Sequence, residues 1–410
     1  MKTSVDKASI KILLLEGIHE AACQRFIAAG YRNIEVLPHA LEEDMLIDKL
    51  QGVKVLGIRS RTQVTANVLK ASPQLFAIGC FCIGANQIDR EVAMMHGIPV
   101  FNAPFSNTRS VAELVIGEMI LLYRGVVDKN MQMHRRIWQK TAYGACEVRG
   151  KTLGIVGYGH IGSQVSILAE SLGMKVLFYD IDNKLPLGNA SAVTSLESLL
   201  TQSDIITLHV PDTPETRKMI DQKALEKMKQ GSVLLNASRG RVVDVEALAN
   251  ALESKHLKGA GIDVFPTEPA SNDQPFNSPL CRLDNVFLTP HIGGSTQEAQ
   301  RNIAFEVAEK LIKYSDNGST MSVLNFPELS LPVKENAHRI LHIHHNQPGV
   351  LRAVNRILCE SGINIEGQFL RTLTDIGYVV MDINSDSQTS RWILKALKAV
   401  EGTIRARVLF

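Results

Sequence analysis

An arginine, a glutamate and a histidine each follow a predicted strand in the second half of the chain. They are Arg239, Glu268 and His291, in segments 236–240, 263–269 and 289–294. Because ligands of open α/β sheets bind outside the carboxyl ends of the strands, we expect these side chains to meet at one edge of a sheet. Such a set suits the oxidation of an alcohol, in which the hydroxyl loses its proton as a hydride leaves the same carbon.

Each of these side chains has a chemical role that its type allows. His291 is the candidate base, because histidine titrates nearest neutral pH, and Glu268 is the candidate partner of its other ring nitrogen. Arg239 offers a planar pair of donors to a substrate carboxylate and can polarise the forming carbonyl. Taken singly, they are better explained as a surface arginine, a turn acid beside two prolines and a histidine at a helix start. Together they favour catalysis.

A glycine-rich turn at 157–162, Gly-Tyr-Gly-His-Ile-Gly, follows a predicted strand and opens a predicted helix. Gly157 permits the tight turn, Gly159 lets the backbone approach a pyrophosphate, and Gly162 lets the helix pack closely on the strand. The positive end of the helix then faces the phosphates. Asp180 ends the next strand, where a carboxylate binds ribose hydroxyls and repels a 2′-phosphate, so NAD is favoured over NADP. The alternative is an α/β sheet with an unoccupied turn.

Short apolar runs alternate with helical patterns along most of the chain, which predicts mainly parallel sheets. In the first unit, the predicted strands lie at 10–15, 33–37, 53–58, 75–80 and 99–102. The pattern restarts at Lys151. In the second unit, the predicted strands lie at 153–156, 175–179, 205–209, 233–236, 261–264 and 286–288. The second unit is therefore predicted to be doubly wound.

Two long predicted helices, at 110–124 and 296–314, flank the second unit, so we expect the chain to leave the first domain, build the second and return. Ser110 and Glu113 have the spacing of a capping box at the start of the first of these helices. After a proline-bearing linker, a small module with the order βαββαβ follows. The predicted domains are 1–106 plus 295–330 for the substrate, 107–294 for the nucleotide and 337–410 for the small module.

Charge and composition exclude several classes of protein. Lysine and arginine total 44 and aspartate and glutamate 42, so the net charge of +2 gives no long-range attraction to nucleic acid or anionic lipid. The six cysteines are scattered, which favours free thiols in a reducing compartment. Cys80 and Cys82 alternate along a predicted strand, but no further ligands stand nearby, and no metal site is predicted. No stretch is long and apolar enough for a membrane span or a signal peptide, so we expect a soluble cytoplasmic protein.

The motifs, in their order, resemble those of the D-2-hydroxyacid dehydrogenase family. The resemblance rests on segments 101–113, 157–162, 236–240, 263–269 and 288–296. It covers essentially the whole chain and implies two doubly wound, Rossmann-like α/β domains, with Arg239 on the substrate carboxylate and Glu268 and His291 as the acid/base pair. The residues implied or predicted to bind NAD are Gly157, Gly159, His160, Ile161, Gly162, Asp180, Ala237, Ser238, Arg239, Asp263, His291, Gly293 and Gly294.

Arg59, Ser60 and Arg61 follow the third predicted strand and could hold a phosphate dianion. From the residues alone, a solvated turn explains them equally well. The resemblance favours phosphate, because it is greatest to the short bacterial members with a C-terminal regulatory domain. Those members oxidise 3-phospho-D-glycerate to 3-phosphohydroxypyruvate at the entry to L-serine biosynthesis. The resemblance also implies that Asn107 binds substrate and that Lys140 reaches the site from a neighbouring subunit of a homotetramer.

Three histidines stand in segment 342–345 of the small module. A metal site is conceivable there, but no cysteine or acid lies within a few positions, and a polar strand end explains them better. The strand, turn and helix resemble those of an ACT domain, which has a ferredoxin-like fold. The resemblance implies that His344, Asn346 and, from a partner module, Asn364 bind L-serine as an inhibitor that acts at a distance from the catalytic site.

The linker before this module carries Glu335 and Asn336 where related chains have two glycines. Asparagine tolerates positive φ, whereas glutamate resists it. We therefore expect serine to bind but to inhibit weakly or with altered cooperativity.

Two alternatives remain at this stage. The first is a dehydrogenase for another 2-hydroxy acid, such as 2-hydroxyglutarate or glyoxylate. The paired arginines argue against it, although a side reduction of 2-ketoglutarate to 2-hydroxyglutarate is consistent with the site. The second is a non-catalytic NAD or amino-acid sensor or corepressor on the same fold. The full set of Arg239, Glu268 and His291 argues against that alternative.

Overall fold

The structure is a computed structural model, and it describes residues 6–269, 273–332 and 338–409. The described residues form two compact units, one within 1–106 and 300–410 and the other within 107–299. Within the described part of the chain, no helix has both the length and the apolar character that crossing a membrane requires. Glu335 and Asn336 lie outside the described residues, so their effect on the hinge stays a prediction.

The first unit opens with a five-stranded parallel sheet. Its strands are β1 (Ile12–Leu14), β2 (Ile34–Val36), β3 (Val55–Ile58), β4 (Ala77–Cys80) and β5 (Val100–Asn102), in the order β2-β1-β3-β4-β5. Its helices are α1 (Ala21–Ala28), α2 (Glu43–Lys49), α3 (Ala66–Ala71) and α4 (Arg90–Met95). Every residue of β1, β3, β4 and β5 is buried, as expected for a parallel sheet that is covered on both faces.

The second unit is a seven-stranded parallel sheet with helices between its strands. Its helices are α5 (Thr108–Arg124), α6 (Val126–His134), α7 (His160–Ser171), α8 (Leu196–Gln202), α9 (Gln222–Lys227) and α10 (Val245–Glu253). Its strands are β6 (Thr152–Val156), β7 (Lys175–Tyr179), β8 (Ser191–Ala192), β9 (Ile205–Leu208), β10 (Ser232–Asn236), β11 (Leu257–Ile262) and β12 (Val286–Leu288). The order β12-β11-β10-β9-β6-β7-β8 runs outward from β6 in both directions, so the sheet is doubly wound.

The predicted capping box at Ser110 and Glu113 is wrong. Helix α5 begins at Thr108, two residues earlier, and its N-cap residue makes no side-chain capping bond. The Ser110 hydroxyl instead bonds the Thr296 hydroxyl at 2.7 Å, and Glu113 pairs with Arg109 at 2.6 Å. Because Ser110 already lies inside the helix, its side chain cannot reach the amides of the first turn.

The C-terminal module follows the long helix α11 (Gln297–Asn317). Its elements are β13 (His338–His345), α12 (Val350–Glu360), β14 (Ile365–Thr372), β15 (Ile376–Ile383), α13 (Ser387–Lys398) and β16 (Thr403–Leu409). The strands form an antiparallel sheet in the order β14-β15-β13-β16, and the two helices bury Val354, Leu358, Ile393 and Leu397 in its core. The predicted fold class, parallel α/β domains followed by a βαββαβ module, is confirmed.

The first sheet and the C-terminal module share one apolar core within the first unit. At Gly79 of β4, a Cβ atom would lie 2.7 Å from the side chains of Val307 and Leu311, so glycine lets α11 pack directly on the sheet. On the module side, the Arg407 guanidinium lies 4.2 Å from the ring centroid of Phe76. The module is therefore packed against the first sheet as well as tethered to it by the chain.

Candidate active site

The three candidate catalytic side chains follow three neighbouring strands of the second sheet. Arg239 comes after β10, Glu268 after β11 and His291 after β12. These strands are adjacent and parallel, so their carboxyl ends meet at one edge. All three residues belong to the same compact unit, and the sequence alone could predict their common edge.

Glu268 and His291 form a direct hydrogen bond. The Nδ1 atom of His291 lies 2.8 Å from Oε2 of Glu268, and Oε1 of Glu268 accepts the Phe265 amide at 3.1 Å. The side chains are 35% and 52% exposed for Glu268 and His291, so the pair is open to a small molecule. Because Nδ1 is engaged, Nε2 is the ring nitrogen left to exchange a proton with a substrate.

The electrostatics of this pair agree with its geometry. The hydrogen bond from Glu268 raises the pKa of His291 above its usual value, against the opposing effect of burial. Burial alone would raise the pKa of Glu268, but the bonds from His291 and from the Phe265 amide hold it below its usual value. Glu268 therefore stays ionised at neutral pH and stabilises the imidazolium form of His291.

Asp263 holds the backbone on which His291 stands. Its buried carboxylate accepts the amides of Ile292 at 2.7 Å and Gly293 at 2.9 Å, and the Thr289 hydroxyl at 2.7 Å. The His291 amide bonds the Asp263 carbonyl at 2.8 Å, and His291 has a φ of 55°, a left-handed conformation that is strained for a residue with a side chain. These bonds keep the turn in that conformation.

Arg239 is half-buried beside this pair. Its Nη1 atom donates to the Ser238 carbonyl at 2.7 Å, and its own carbonyl accepts the Asn236 side-chain amide at 3.0 Å. The positive charge of Arg239 helps to hold the pKa of Glu268 below its usual value, and it opposes the rise in the pKa of His291 that Glu268 causes. The guanidinium is thus close enough to both side chains to act on them electrostatically.

The glycine-rich turn lies between β6 and α7. Gly157 has a φ of 89°, and a Cβ there would lie 2.4 Å from the His209 carbonyl oxygen. A Cβ at Gly162 would lie 2.2 Å from the Gly157 carbonyl oxygen, so this glycine lets α7 pack on the turn. A Cβ at Gly159 would have no heavy atom of the described residues within 4 Å. That space, at the positive end of the helix, fits the pyrophosphate of a dinucleotide.

The remaining predicted cofactor residues surround the same edge. Asp180 follows β7, and its oxygens accept the Tyr158 amide at 2.7 Å and the Asp182 amide at 2.9 Å. Each carboxylate oxygen can accept a second hydrogen bond, so Asp180 retains capacity for ribose hydroxyls. His160 and Ile161 open α7, Ala237 and Ser238 follow β10, and Gly293 and Gly294 follow His291.

Of the candidate substrate residues, Arg59, Ser60 and Arg61 follow β3 in the first unit. Arg59 is half-buried, and Ser60 and Arg61 are exposed. The backbone amides of Arg59, Arg61 and Thr62 all donate to the carboxylate of Glu16. The sequence analysis missed Glu16, although it lies two residues after the end of β1, which neighbours β3 in the sheet.

The other two candidate substrate residues belong to the second unit. Asn107 is buried against Gly294, where a Cβ atom would lie 2.5 Å from the Asn107 side-chain nitrogen. Its Oδ1 atom has no hydrogen-bond partner among the described residues. Lys140 is exposed and, with Trp138 and Lys129, lines a cavity of about 110 Å³. Within this one chain, Lys140 is thus a surface residue.

The candidate serine residues lie around the sheet of the C-terminal module. His344 is buried in β13 and stacks on His342, with ring centroids 5.3 Å apart, and its Nδ1 has no partner among the described residues. Asn346 is exposed and donates to the Leu373 carbonyl at 3.1 Å. Asn364 is exposed immediately before β14.

A second residue that sequence analysis missed is Glu118, on helix α5. Its side chain is 2% exposed, and burial, with the charge of Asp263, raises its pKa to about 8. It stands within an apolar-periodic helix pattern, and nothing in the sequence distinguishes it from a solvent-facing acid.

Comparison with protein-family models agrees with this geometry. Residues 116–293 match the model described as D-isomer specific 2-hydroxyacid dehydrogenase, NAD binding domain. Residues 340–405 match the model described as AHAS small subunit-like ACT domain. The fold and the site define an NAD-dependent dehydrogenase of the D-isomer specific 2-hydroxyacid class, and the alternative of a non-catalytic sensor is set aside.

Relatives that match over the whole chain identify a family within this class of dehydrogenases. The chain is 59% identical over 409 residues to D-3-phosphoglycerate dehydrogenase of Escherichia coli (strain K12), covering 100% of both chains. It is 56% identical over 409 residues to the enzyme of that name from Haemophilus influenzae, covering 100% of this chain and 99% of the other. The solved structure of D-2-hydroxyisocaproate dehydrogenase matches 77% of this chain and 100% of its own, with a TM-score of 0.70 and 26% identity. The chain belongs to the D-3-phosphoglycerate dehydrogenase family.

Proposed function

We propose that this chain oxidises 3-phospho-D-glycerate to 3-phosphohydroxypyruvate, as the first step of L-serine biosynthesis. The proposal rests on the 2.8 Å hydrogen bond between His291 and Glu268, beside Arg239, in an NAD-binding domain. The 59% identity to a D-3-phosphoglycerate dehydrogenase supports this choice of substrate.

Each catalytic residue has one task in this reaction. Arg239 binds the substrate carboxylate and polarises the oxygen on C2. The Nε2 atom of His291 takes the proton from the C2 hydroxyl, and Glu268 fixes the ring and stabilises its charged form. NAD held by the glycine-rich turn and Asp180 would supply the acceptor for the hydride that leaves C2. In the reverse direction, His291 returns the proton to the carbonyl oxygen.

The candidate NAD residues divide into three groups by task. Gly157, Gly159 and Gly162, with His160 and Ile161, shape the turn for the pyrophosphate. Asp180 binds the adenosine ribose and selects NAD over NADP. The residues that complete the site near the catalytic groups are Ala237, Ser238, Arg239, Asp263, His291, Gly293 and Gly294.

The remaining substrate contacts come from Arg59, Ser60 and Arg61, which hold the phosphate, and from Asn107. These roles are supported by the half-buried position of Arg59 and by the Oδ1 atom of Asn107, which has no hydrogen-bond partner in the described part of the chain. We extend the proposal to a slower reduction of 2-ketoglutarate to 2-hydroxyglutarate, because that substrate shares the 2-keto acid group.

A comparison of three substrates tests the phosphate site and the side reaction. Initial rates of NADH consumption are compared for 3-phosphohydroxypyruvate, hydroxypyruvate and 2-ketoglutarate. Replacing Arg59 and Arg61 with alanine should raise KM for the phosphorylated substrate about a hundredfold, since each charge-assisted contact is worth about 1.5 kcal/mol. The exposed Arg356 supplies a control substitution to alanine. Equal losses of activity on phosphorylated and unphosphorylated substrates would refute the assignment of Arg59 and Arg61 to the phosphate. If the wild-type chain did not turn over 3-phosphohydroxypyruvate, the proposed function would be wrong.

We further propose that L-serine inhibits the enzyme through the C-terminal module. His344 and Asn346 of one module, with Asn364 of a partner module, would bind the amino and carboxylate groups at an interface between two copies. The ACT-domain match supports this assignment. Isothermal titration of serine into wild type and His344→Ala tests it, and undiminished serine binding by the variant would contradict it.

We also propose a cytoplasmic homotetramer, in which one contact joins nucleotide-binding domains and another joins C-terminal modules. In that assembly, Lys140 reaches the substrate of a neighbouring subunit. The exposed Trp138, beside Lys140, supports a contact at this surface because 77% of that residue is exposed in the single chain. Sedimentation velocity gives the oligomeric state, and a monomer at assay concentrations would contradict the proposal.

A further inference from the structure

The loop that follows β3 wraps its backbone around a carboxylate of its own domain. Glu16 accepts the Arg59 amide at 3.1 Å and the Thr62 amide at 2.9 Å through Oε1, and the Arg61 amide at 3.0 Å through Oε2. Glu16 is only 8% exposed, and these charge-assisted hydrogen bonds are buried at Thr62 and partly buried at Arg59 and Arg61. Three amides of a four-residue segment are thus committed to one side chain.

Glu16 reaches this position through an unusual backbone conformation. It has a φ of 63° and precedes Gly17, whose φ is 60°, so two successive residues are left-handed at the end of β1. The turn is held by the Glu16 amide on the His39 carbonyl at 3.2 Å and by the Gly17 amide on the Leu37 carbonyl at 3.1 Å. A glutamate resists this conformation, so the surrounding bonds must impose it.

The opposite side of the loop is fixed as well. The side-chain amide of Gln87 donates to the Arg59 carbonyl, and the Arg59 guanidinium lies 3.5 Å from the Glu16 carbonyl. The loop backbone is therefore held through its amides by Glu16 and through a carbonyl by Gln87.

These contacts determine how the loop can bind an anion. Successive backbone amides that point to one spot form a nest that would otherwise bind a phosphate or carboxylate. In this chain Glu16 occupies the amides of Arg59, Arg61 and Thr62, so the loop would bind a substrate phosphate mainly through the side chains of Arg59, Ser60 and Arg61.

We propose that Glu16 is a positioning residue that presets the loop of Arg59, Ser60 and Arg61 for a phosphate dianion. By holding the loop in one conformation, it removes the ordering cost that a mobile pair of arginines would incur on binding. Glu16 thereby sets the preference for a phosphorylated over an unphosphorylated 2-keto acid. The inference rests on the proposed phosphate-binding role of Arg59 and Arg61.

Two substitutions separate positioning from folding. Glu16→Gln keeps the shape but replaces one acceptor oxygen with an amide that faces backbone N–H groups. Glu16→Gly removes the carboxylate and suits the positive φ, so backbone strain cannot explain its effect. Glu35→Gln, on β2 of the same sheet, is the control, because the Glu35 carboxylate pairs with Lys49 and Lys11 rather than with the loop.

The readout is the ratio of kcat/KM for 3-phosphohydroxypyruvate to that for hydroxypyruvate. We expect Glu16→Gly to lower this ratio about tenfold, mainly through KM for the phosphorylated substrate, and Glu16→Gln to lower it about threefold. Rates with hydroxypyruvate should stay within about twofold, and Glu35→Gln should behave as wild type. A purely structural role for Glu16 would instead lower Tm and reduce both rates in proportion, which would overturn the inference.

A double-mutant comparison keeps the two proposals apart. In the background of Arg59→Ala with Arg61→Ala, the Glu16 substitutions should not change the ratio further. If the arginine pair alone leaves the ratio unchanged, the proposed phosphate site is wrong. If the pair lowers the ratio but the Glu16 substitutions do not, the phosphate site stands and the inference about Glu16 is wrong.

Discussion

Glu118 is a buried acid that should make the stability of the second unit depend on pH. It is 2% exposed, and burial and the charge of Asp263 raise its pKa from 4.5 to about 8. The neighbouring Thr289 hydroxyl has one proton, which it donates to Asp263 at 2.7 Å. The contact of Glu118 with that hydroxyl acts against the rise in its pKa, but burial and the Asp263 charge outweigh it, so Glu118 holds its proton up to about pH 8 in the folded chain.

The sign and size of the effect follow from the two pKa values. Between pH 4.5 and about 8, the folded state holds the Glu118 proton and the unfolded state has released it. The unfolded state then binds fewer protons, so the free energy of unfolding falls as pH rises through this window. The slope is about 1.4 kcal/mol per pH unit, or about 3 kcal/mol between pH 5.5 and 7.5. This contribution is fully present below pH 4.5 and is lost as pH approaches 8.

The comparison of wild type with Glu118→Gln isolates the contribution of Glu118 ionisation to the free energy of unfolding. Glutamine keeps the shape and a donor for Thr289 but cannot ionise, so the difference in unfolding free energy between the two proteins should change by about 3 kcal/mol over that range, in favour of the variant at higher pH. Urea unfolding followed by circular dichroism measures the difference, and other titrating groups cancel in it. Parallel pH dependences for the two proteins would show that Glu118 is not held neutral and would refute the reasoning.

Two further predictions concern other buried contacts. Gly162→Ala should weaken NADH binding about tenfold or more in a fluorescence titration, because its Cβ would lie 2.2 Å from the Gly157 carbonyl oxygen. Gly117→Ala, on α5 with no described atom within 4 Å of the new Cβ, should bind NADH normally. Arg339→Ala should destabilise the first unit by about 3–5 kcal/mol in urea unfolding, because it leaves the buried Asp382 carboxylate unpaired. Arg356→Ala, which breaks the exposed pair with Glu360, should cost less than about 0.5 kcal/mol.

The sequence predicted the larger elements because they carry clear apolar patterns. It did not predict the helices at Ala66–Ala71, Arg90–Met95 and Val126–His134. The first two span only six residues each, and the third buries no residue, so none has an apolar period to detect. The capping box at Ser110 was predicted from residue spacing alone. Spacing does not determine where the helix begins, and the helix begins at Thr108.

For the site, the sequence predicted the residues that stand at strand ends, and the structure brings Glu268 and His291 into contact. It could not predict the supporting contacts. Asp263 holds the His291 turn through amides that are far from it in sequence, and Glu16 holds the loop at Arg59 through bonds between segments 43 or more residues apart. Such contacts depend on which segments the fold brings together. The one indication in the sequence is an acidic residue at a strand end, such as Glu16.

The pH dependence of kcat/KM for 3-phosphoglycerate oxidation tests the pairing of His291 with Glu268 most directly. His291 must be neutral to accept the substrate proton, and Glu268 raises its pKa, so wild-type activity should rise with pH through that raised value. Glu268→Gln removes the charge that stabilises the imidazolium, so the rise should move to lower pH while the plateau falls by about a hundredfold. A rise at unchanged pH in the variant would contradict the account, because His291 would then not be the base that Glu268 supports.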